Sequence, residues 1–536
     1  MSEERRAKDR RPGERRTAPR ASRPGSRASY AAHAAEGVRP TRHAGEEKRP
    51  VRRPGEYGAA EGSGAQARTP RPHSDRPADR RHPMAAPGAN GRLHSTGASG
   101  ASHALHAQAH SGHGLAPRSP RPRTAQSGLN ARRLATGLVY GTLENQLQID
   151  YALDRLMDHP TREPVQRDIL RMGAYQILFL DRVPDSAAVD EAVKLTRAMG
   201  MEAACGFINA VLRNLSRGKD EIAWPDREAD PVAYLSVMGS MPRWLVDKLV
   251  AAYGPEEAGR VILYREEEHP VCVRPNLARL SDAGFEALLH EKGWRAERGL
   301  APHAWLIYGA GDLASDADYR AGRFSIQGQS SMLAAEALEV RPGMKVLDAC
   351  AAPGGKSAYL CEQMQLTGRV YAWELHEKRA QLLEGVRRRL GLDNLRISVR
   401  DALDFRPDLE GALDGVLLDA PCAGLGVLSQ KPDIKLRLKE EDIPAIVDTQ
   451  GRLIDTVCRY VRPGGALVYS TCSLLPEENA DRVRAFLQAH PNFTLEPLPT
   501  SFPEELRARQ TPCGLQLLGC RDGVEGFFIA RMRRVR

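Results

Sequence analysis

The first 128 residues of this 536-residue chain contain no isoleucine, phenylalanine, tryptophan or cysteine, and very little leucine or valine. Arginine, proline, glycine, serine, alanine and histidine dominate instead. A segment of this composition cannot bury enough apolar surface to offset the entropy lost on ordering. The absence of large apolar residues therefore excludes a hydrophobic core here and predicts a disordered basic tail over residues 1–128.

Acidic residues are also scarce in this tail. It has 25 Lys and Arg residues against 11 Asp and Glu, a net charge of +14, while the whole chain carries +9. The remaining residues therefore have a net charge of −5. A mobile arginine-rich segment is attracted to polyanions through counterion release. The composition leaves open whether the tail binds a polyanion or is a solvated extension without a required role.

The cysteines lack the spacing of metal sites, and the chain lacks long apolar runs. None of the nine cysteines forms a CxxC pair or a cysteine–histidine pattern, so we expect no bound metal and a reducing environment. No segment reaches the roughly 18 apolar residues that a membrane-spanning helix needs, and the N-terminus has no apolar segment typical of a secretory signal. These absences predict a cytoplasmic protein without a membrane partner.

The segment after the tail has the apolar periodicity of helices, over about 131–143, 149–157, 167–180, 187–199 and 206–214. Three stretches in this order, RDILRMGAYQILFL, AVDEAVKLTR and GFINAVLRNL, resemble the NusB-like RNA-binding module. The resemblance implies an all-α RNA-binding bundle over residues 129–220. A polar, acidic linker then leads to a small mixed α/β subdomain, predicted over residues 232–325.

Strands and helices alternate over residues 326–536. Predicted strands at 345–347, 369–373, 395–399, 415–418 and 466–470 indicate a doubly wound, Rossmann-like α/β domain with a parallel sheet. Segments 516–518 and 527–531 predict a terminal hairpin that adds an antiparallel strand. In such a sheet, ligands bind at the carboxyl ends of the strands.

A loop with two glycines, DACAAPGGK, joins the first of these strands to a helix. Its glycines let the backbone approach a ligand, and the helix beyond presents free N–H groups. Acidic residues at the next two strand ends can accept hydrogen bonds from ribose hydroxyls and an adenine amino group. These features favour S-adenosylmethionine over NAD as the cofactor. The candidate cofactor-binding residues are Cys350, Ala351, Ala352, Pro353, Gly354, Gly355, Lys356, Glu374, Asp401 and Asp419.

Two cysteines follow later strands, Cys422 in DAPCAG and Cys472 in STCSL. Carbon C5 of cytosine is a poor nucleophile, but adding a thiolate at C6 makes C5 reactive toward a methyl group. The addition needs an acid near N3 of the ring, for which Asp419 is the candidate if burial raises its pKa. One thiol would attack and the other would assist release of the product.

The motifs DACAAPGGK, DAPCAGLGVL and YSTCSLLPEEN resemble those of the RNA cytosine-5 methyltransferases. With the NusB-like module in front, residues 129–536 resemble the bacterial Sun/Fmu family, whose members modify cytosine 967 of 16S ribosomal RNA. The resemblance implies that Cys472 is the nucleophile, that Cys422 assists release, and that Lys356 lies near the catalytic groups. DNA cytosine-5 methyltransferases attack with the cysteine of the Pro-Cys loop, which would assign Cys422 instead but leave Cys472 unexplained.

Two positions depart from the family pattern. Residue 328 is glycine where an acidic residue is usual, and Glu525 stands where aspartate is usual. Because the folded part is slightly acidic, basic patches such as 387–389 or 431–439 would have to contact RNA. The expected partner is 16S ribosomal RNA, naked or in a small-subunit precursor, and the protein is expected to be a monomer. The alternatives are a transfer RNA or other RNA cytosine-5 methyltransferase, and a noncatalytic NusB-like assembly factor.

Overall fold

The structure, a computed structural model, describes residues 125–157, 159–265, 270–309 and 311–536. The predicted disordered tail lies outside the described residues up to position 124, so its disorder stays a prediction. The first described helix already begins at Ala125, three residues before the predicted end of the tail.

Five helices form the N-terminal bundle: α1 Ala125–Glu144, α2 Gln146–Asp154, α3 Pro164–Phe179, α4 Asp185–Ala198 and α5 Cys205–Gly218. Each overlaps one of the five helices predicted from apolar periodicity. Their apolar faces meet in one cluster that includes Ile149, Leu170 and Leu212, all fully buried. A salt bridge from Arg171 to Asp150 also ties α3 to α2 at 2.7 Å.

Two connecting helices follow, α6 Pro231–Met238 and α7 Arg243–Leu263. Gly254 breaks the α7 geometry with a φ of 77°, and Pro255 comes next. The sequence placed these helices in the small α/β subdomain. Their apolar residues, such as Leu245 and Leu249, instead pack in one cluster with residues from loops of the C-terminal domain.

The small subdomain has an antiparallel sheet of four strands in the order β2-β3-β1-β4. Its elements are β1 Val271–Pro275, α8 Asp282–Glu291, β2 Arg295–Arg298, β3 Trp305–Tyr308, α9 Ala317–Arg320 and β4 Phe324–Ile326. Phe285 of α8 and Trp305 of β3 are buried in its core. A fully buried ion pair between Arg274 and Glu362 joins this sheet to the C-terminal domain.

The C-terminal domain has one sheet in the order β10-β12-β9-β8-β5-β6-β7, with β11 paired to β12. The five strands from β5 to β9 are parallel and the remaining strands are antiparallel. Its strands are β5 Lys345–Asp348, β6 Arg369–Glu374, β7 Leu395–Val399, β8 Leu413–Asp419, β9 Val461–Thr471, β10 Phe493–Leu495, β11 Leu515–Leu517 and β12 Phe527–Arg534. Its helices are α10 Gln329–Glu336, α11 Gly355–Gln363, α12 Glu377–Leu390, α13 Ile434–Arg437, α14 Ile443–Val457, α15 Ala480–Ala489, α16 Glu504–Ala508 and α17 Gly519–Asp522.

This arrangement confirms the predicted doubly wound fold and the terminal hairpin. Strand order reverses at β5, because β6 pairs with one side of it and β8 with the other. A crevice therefore opens between the carboxyl ends of β5 and β8, which is where such folds bind ligands. The loop after β5 and the loop carrying Cys422 after β8 both meet at this edge.

Candidate active site

The loop between β5 and α11 is anchored to neighbouring strands through its backbone. The N–H of Ala349 donates to the carbonyl of Leu417 at 2.9 Å, and that of Ala351 to the carbonyl of Trp373 at 2.8 Å. Gly354 has a φ of 114°, a conformation that strongly favours glycine, and it caps the N-terminus of α11. The helix therefore starts with free N–H groups facing the crevice edge, as a nucleotide-like cofactor requires.

Glu374 ends β6 and Asp401 follows β7, so the two acidic residues stand at successive strand ends. Glu374 is only 3% exposed, accepts the backbone N–H of His376 at 3.0 Å and pairs with Arg379 at 3.4 Å. Asp401 is half-buried and accepts the N–H of Leu403 at 2.9 Å. These contacts hold both carboxylates in place. Their positions agree with the expectation that Glu374 binds the ribose hydroxyls and Asp401 the adenine amino group.

The thiols of Cys422 and Cys472 lie 3.2 Å apart, although 50 residues separate them in the sequence. The hydrogen bond from Cys422 lowers the pKa of Cys472, and the ammonium of Lys356 acts in the same direction against the effect of burial. The same hydrogen bond, burial and the charges of Glu478 and Asp419 raise the pKa of Cys422. The surroundings therefore favour a thiolate on Cys472 and a protonated thiol on Cys422.

Asp419 lies beside this pair and is held by two donors. The Lys356 ammonium donates to its Oδ2 at 2.8 Å, and the Ser470 hydroxyl donates to its Oδ1 at 2.9 Å. Burial acts to lower the pKa of Lys356, but the attraction of Asp419 outweighs burial and raises it. Lys356 and Asp419 therefore form one hydrogen-bonded pair beside the thiols. The expected role of Asp419 as the acid near N3 of the ring stays a prediction.

Asp348 is a further buried carboxyl group under the cofactor loop. It ends β5 and its Oδ2 accepts the hydroxyl of Ser357 at 2.6 Å. Burial raises the pKa of Asp348 to about 6, with a smaller contribution from the charge of Asp419, while Ser357 opposes the shift. Two carboxyl groups, Asp348 and Asp419, thus act on the Lys356 ammonium from different environments.

Helices α7 and α13 form hydrogen bonds next to the two cysteine loops. The hydroxyl of Tyr253 on α7 donates to the carbonyl of Leu474 at 2.6 Å, two residues after Cys472. Lys435 on α13, which follows the Cys422 loop, is 4% exposed and donates to the carbonyls of Glu144 and Gly239 at 2.7 and 3.2 Å. These carbonyls belong to the C-terminal ends of α1 and α6, so one lysine joins the helical bundle to the catalytic domain.

Residues 328 and 525, the two departures from the family pattern, meet in space. A Cβ atom on Gly328 would lie 2.1 Å from Oε1 of Glu525. The other oxygen of Glu525 accepts the N–H of Ser330 at 3.4 Å, in the first turn of α10. The Glu525 carboxylate therefore fills the space that a side chain at position 328 would need.

Each proposed basic patch has a residue that is used in internal contacts, while other basic side chains of the same patch are exposed. Arg389 donates to the carbonyls of Tyr319 and Phe324, both at 2.9 Å, and so joins α12 to the small subdomain. Arg387 pairs with Glu384 on the same helix at 2.7 Å. In the second patch, Lys435 is buried as described above. Periodicity gave no signal for these roles, because an arginine run on a helix looks the same whether it is solvated or bonded to a neighbouring domain.

Sequence reasoning missed Ser470, which bonds Asp419, and Glu478, which bonds the residues that follow the two cysteines. Both stand inside the motif YSTCSLLPEEN, whose regular succession of short polar side chains was the available signal. Among the residues that the structure describes, no group of three or more His, Cys, Asp or Glu is arranged to hold a metal ion. Within the same residues, no helix combines the length and apolar character needed to cross a membrane.

Comparison with known proteins identifies the three folded parts. A family model described as 16S rRNA methyltransferase RsmB/F matches residues 335–533, a NusB family model matches 109–217, and an RsmF/B-like ferredoxin-like domain matches 241–313. The probable ribosomal RNA small subunit methyltransferase B of Bacillus subtilis is 36% identical over 75% of this chain and 90% of the relative. The chain belongs to the ribosomal RNA small subunit methyltransferase B family.

Further similarities agree with this family. The ribosomal RNA small subunit methyltransferase B of Pseudomonas putida is 34% identical over 75% of this chain and 91% of its own length. The crystal structure of a methyltransferase homologue from Pyrococcus horikoshii superposes with a TM-score of 0.50 at 28% identity, covering 57% of this chain and 99% of that one. As a methyltransferase B family member, the chain is an RNA cytosine-5 methyltransferase that uses S-adenosylmethionine.

Proposed function

We propose that this member of the methyltransferase B family methylates C5 of a cytosine in 16S ribosomal RNA, at a target of the cytosine 967 type. The observation that carries the chemistry is the pair of thiols 3.2 Å apart at the crevice edge, next to Lys356 and Asp419. The RNA target is supported by the relatives' names and by the NusB-like bundle in front of the catalytic domain.

In the proposed mechanism Cys472 attacks as a thiolate. Its sulfur forms a bond to C6 of the cytosine, and the ring gains a proton at N3 from the Lys356–Asp419 pair, which makes C5 nucleophilic. S-adenosylmethionine supplies the methyl group that C5 takes up. A base then removes the C5 proton as the C6–sulfur bond breaks, and Cys422 assists this release. N3 returns its proton to the Lys356–Asp419 pair, which leaves neutral 5-methylcytosine.

The cofactor would be held by the loop and the strand ends described above. The free N–H groups at the start of α11 and the carboxylates of Glu374 and Asp401 suit a nucleoside with ribose hydroxyls and an amino group. The candidate residues Cys350, Ala351, Ala352, Pro353 and Gly355 would line this pocket through the backbone. Burial raises the pKa of the Cys350 thiol, so a role as a second nucleophile is disfavoured there.

The test of the proposed target is methyl transfer from labelled S-adenosylmethionine to three unmodified RNAs: naked 16S ribosomal RNA, small-subunit precursor particles and transfer RNA. We expect labelled 5-methylcytosine at one position in 16S RNA, located by bisulfite sequencing. Labelling of transfer RNA alone would replace the ribosomal target with a transfer RNA target. Binding of 16S RNA without any methylation would favour a noncatalytic assembly factor.

A further inference from the structure

Glu478 is a fully buried carboxylate between the two cysteine loops. It lies in the segment between β9 and α15, and its side chain has no exposed surface. Burying a charged carboxylate is costly unless hydrogen bonds compensate it. The hydrogen-bond partners of Glu478 therefore indicate its role.

Three donors converge on this carboxylate. Oε2 accepts the N–H of Ala423 and the amide of Gln450, each at 2.9 Å, and Oε1 accepts the hydroxyl of Ser473. Ala423 directly follows Cys422, and Ser473 directly follows Cys472. A single side chain thus bonds the residue next to each thiol.

Neighbouring contacts stiffen the same connection. Gln450 also donates to the carbonyl of Pro421 at 3.0 Å, on the other side of Cys422. Asn479 donates to the carbonyl of Ser473 at 2.9 Å and accepts the hydroxyl of Thr471, so it brackets Cys472. The backbone of Glu478 is itself fixed, because its carbonyl accepts the hydroxyl of Tyr469 at 2.7 Å.

We propose that Glu478 is a positioning residue for the reaction: by bonding the Cys422 loop and the Cys472 loop at once, it fixes the distance between the two sulfurs. The role in methyl transfer rests on the proposed function, whereas the spacing of the sulfurs does not. Glu478 acts through Ala423 and Ser473 and has no described contact with the cofactor loop. Loss of this connection would let the two loops move independently.

The negative charge of Glu478 can be removed separately from its hydrogen bonds. Burial raises the pKa of Glu478, and the hydrogen bonds from Ser473, Ala423 and Gln450 oppose this change. Glutamine at 478 has the same shape: its oxygen can accept from Ala423 and Gln450, and its NH2 can donate to the Ser473 hydroxyl. Glu478→Gln therefore keeps the connection without the charge, while Glu478→Ala removes both.

The spacing is measured by oxidising the folded full-length protein with diamide and following the Cys422–Cys472 disulfide by peptide mass spectrometry. We expect the disulfide to form at least about tenfold more slowly in Glu478→Ala, because the sulfurs lose their proximity, and at about the wild-type rate in Glu478→Gln. Glu477→Ala is the matched control, since Glu477 pairs with Lys248 at 2.8 Å and bonds neither cysteine loop. A wild-type rate in folded Glu478→Ala would overturn the proposal.

Methyl transfer gives the second readout. We expect kcat to fall about 100-fold in Glu478→Ala, the scale of a misplacement near 1 Å, while KM for S-adenosylmethionine stays within about twofold. Glu478→Gln should restore most of kcat; an equal loss in both variants would mean that charge, not spacing, is what matters, and would overturn the proposal. If Glu478→Ala does not fold, Ser473→Ala removes the bond between Glu478 and the Cys472 loop, together with the bond from the N–H of Leu475. This variant should still slow disulfide formation, and an unchanged rate would contradict the proposal.

The two proposals fail in different ways. The diamide experiment needs no RNA, so a wild-type protein that methylates no RNA would refute the proposed function while the disulfide rates still test the spacing. Conversely, an active wild-type enzyme whose Glu478→Ala variant keeps both its kcat and its disulfide rate would refute only the role of Glu478.

Discussion

At the scale of single residues, the site works by giving identical groups different surroundings. The two thiols share one hydrogen bond, but Lys356 acts on Cys472 and Glu478 acts on Cys422. Opposite charges favour the ionised form of a group and like charges disfavour it. The shared hydrogen bond, which lowers the pKa of Cys472 and raises that of Cys422, is the main cause of the difference between the two thiols, and the nearby charges act in addition.

Asp348 provides a prediction at this scale, because burial raises its pKa to about 6 from an unfolded value of about 3.9. The protonated Asp348 carboxyl group contributes fully to the stability of the fold below the unfolded pKa, and this contribution is lost as the pH rises through about 6. Asp348→Asn removes this loss, so at pH 7.5 the variant should gain up to about 3 kcal/mol in free energy of unfolding relative to wild type, and much less near pH 4.

Urea unfolding at both pH values measures this difference. Asp414→Asn is a suitable control, since Asp414 lies near the solvent at the opposite end of the sheet and pairs with Arg462 at 2.7 Å. A gain for Asp348→Asn that does not change with pH would contradict the account of Asp348.

At the scale of elements, the strands of the parallel sheet were predictable, but strand β2 and the packing of helices α6 and α7 were not. Each strand from β5 to β9 is an apolar run bounded by turn residues, and all five were predicted. β2 was missed because Arg295–Arg298 has no apolar alternation and is mostly exposed. The packing of α6 and α7 against residues of the C-terminal domain was not predicted, because an apolar helix face shows that it is buried but not which surface covers it.

The candidate site was predictable only in part, for a related reason. Strand ends brought Cys422, Cys472, Asp419 and the cofactor loop to one edge, as the topology requires. Which group holds a proton depends on distances of 3 Å between side chains, and no periodicity encodes these. The bonds of Ser470 and Glu478 were invisible for the same reason, although both residues lie in a motif that was singled out.

Lys435 carries the prediction at this scale. Its ammonium bonds the C-terminal carbonyls of α1 and α6, where a cation also interacts favourably with the helix dipoles. Lys435→Met would leave these carbonyls without the ammonium and should lower the free energy of unfolding by about 2–3 kcal/mol. Lys439→Met is the control, because the exposed pair of Lys439 with Glu441 should contribute less than about 1 kcal/mol.

Chemical denaturation of both variants measures this difference. Equal stability of Lys435→Met and Lys439→Met would contradict the view that Lys435 joins the bundle to the catalytic domain. A loss of stability confined to Lys435→Met would support it.

At the scale of the whole molecule, positive charge is concentrated in the first 128 residues of the sequence. The described domains lie in a segment of net charge −5, and residues 1–128 carry +14. Within the two predicted basic patches, Arg389 and Lys435 are used in internal contacts. RNA affinity should therefore depend strongly on the tail, through counterion release rather than through sequence-specific contacts.

Removing residues 1–124 tests this dependence. The slope of log affinity against log salt concentration should become shallower by about 0.7 for each phosphate contact that is lost with single-stranded RNA. A full-length variant with the tail arginines replaced by glutamine controls for chain length and should behave like the truncated protein. An unchanged slope in both proteins would mean that the tail has no part in RNA binding.

We propose that Cys472 forms the covalent bond to cytosine and that Cys422 assists its release. The most direct measurement incubates wild type, Cys422→Ala and Cys472→Ala with S-adenosylmethionine and unmodified 16S RNA, then separates the products on a denaturing gel. The account predicts a protein–RNA adduct that persists in Cys422→Ala and is absent in Cys472→Ala. An adduct that persists only in Cys472→Ala would contradict it and would assign the attack to Cys422.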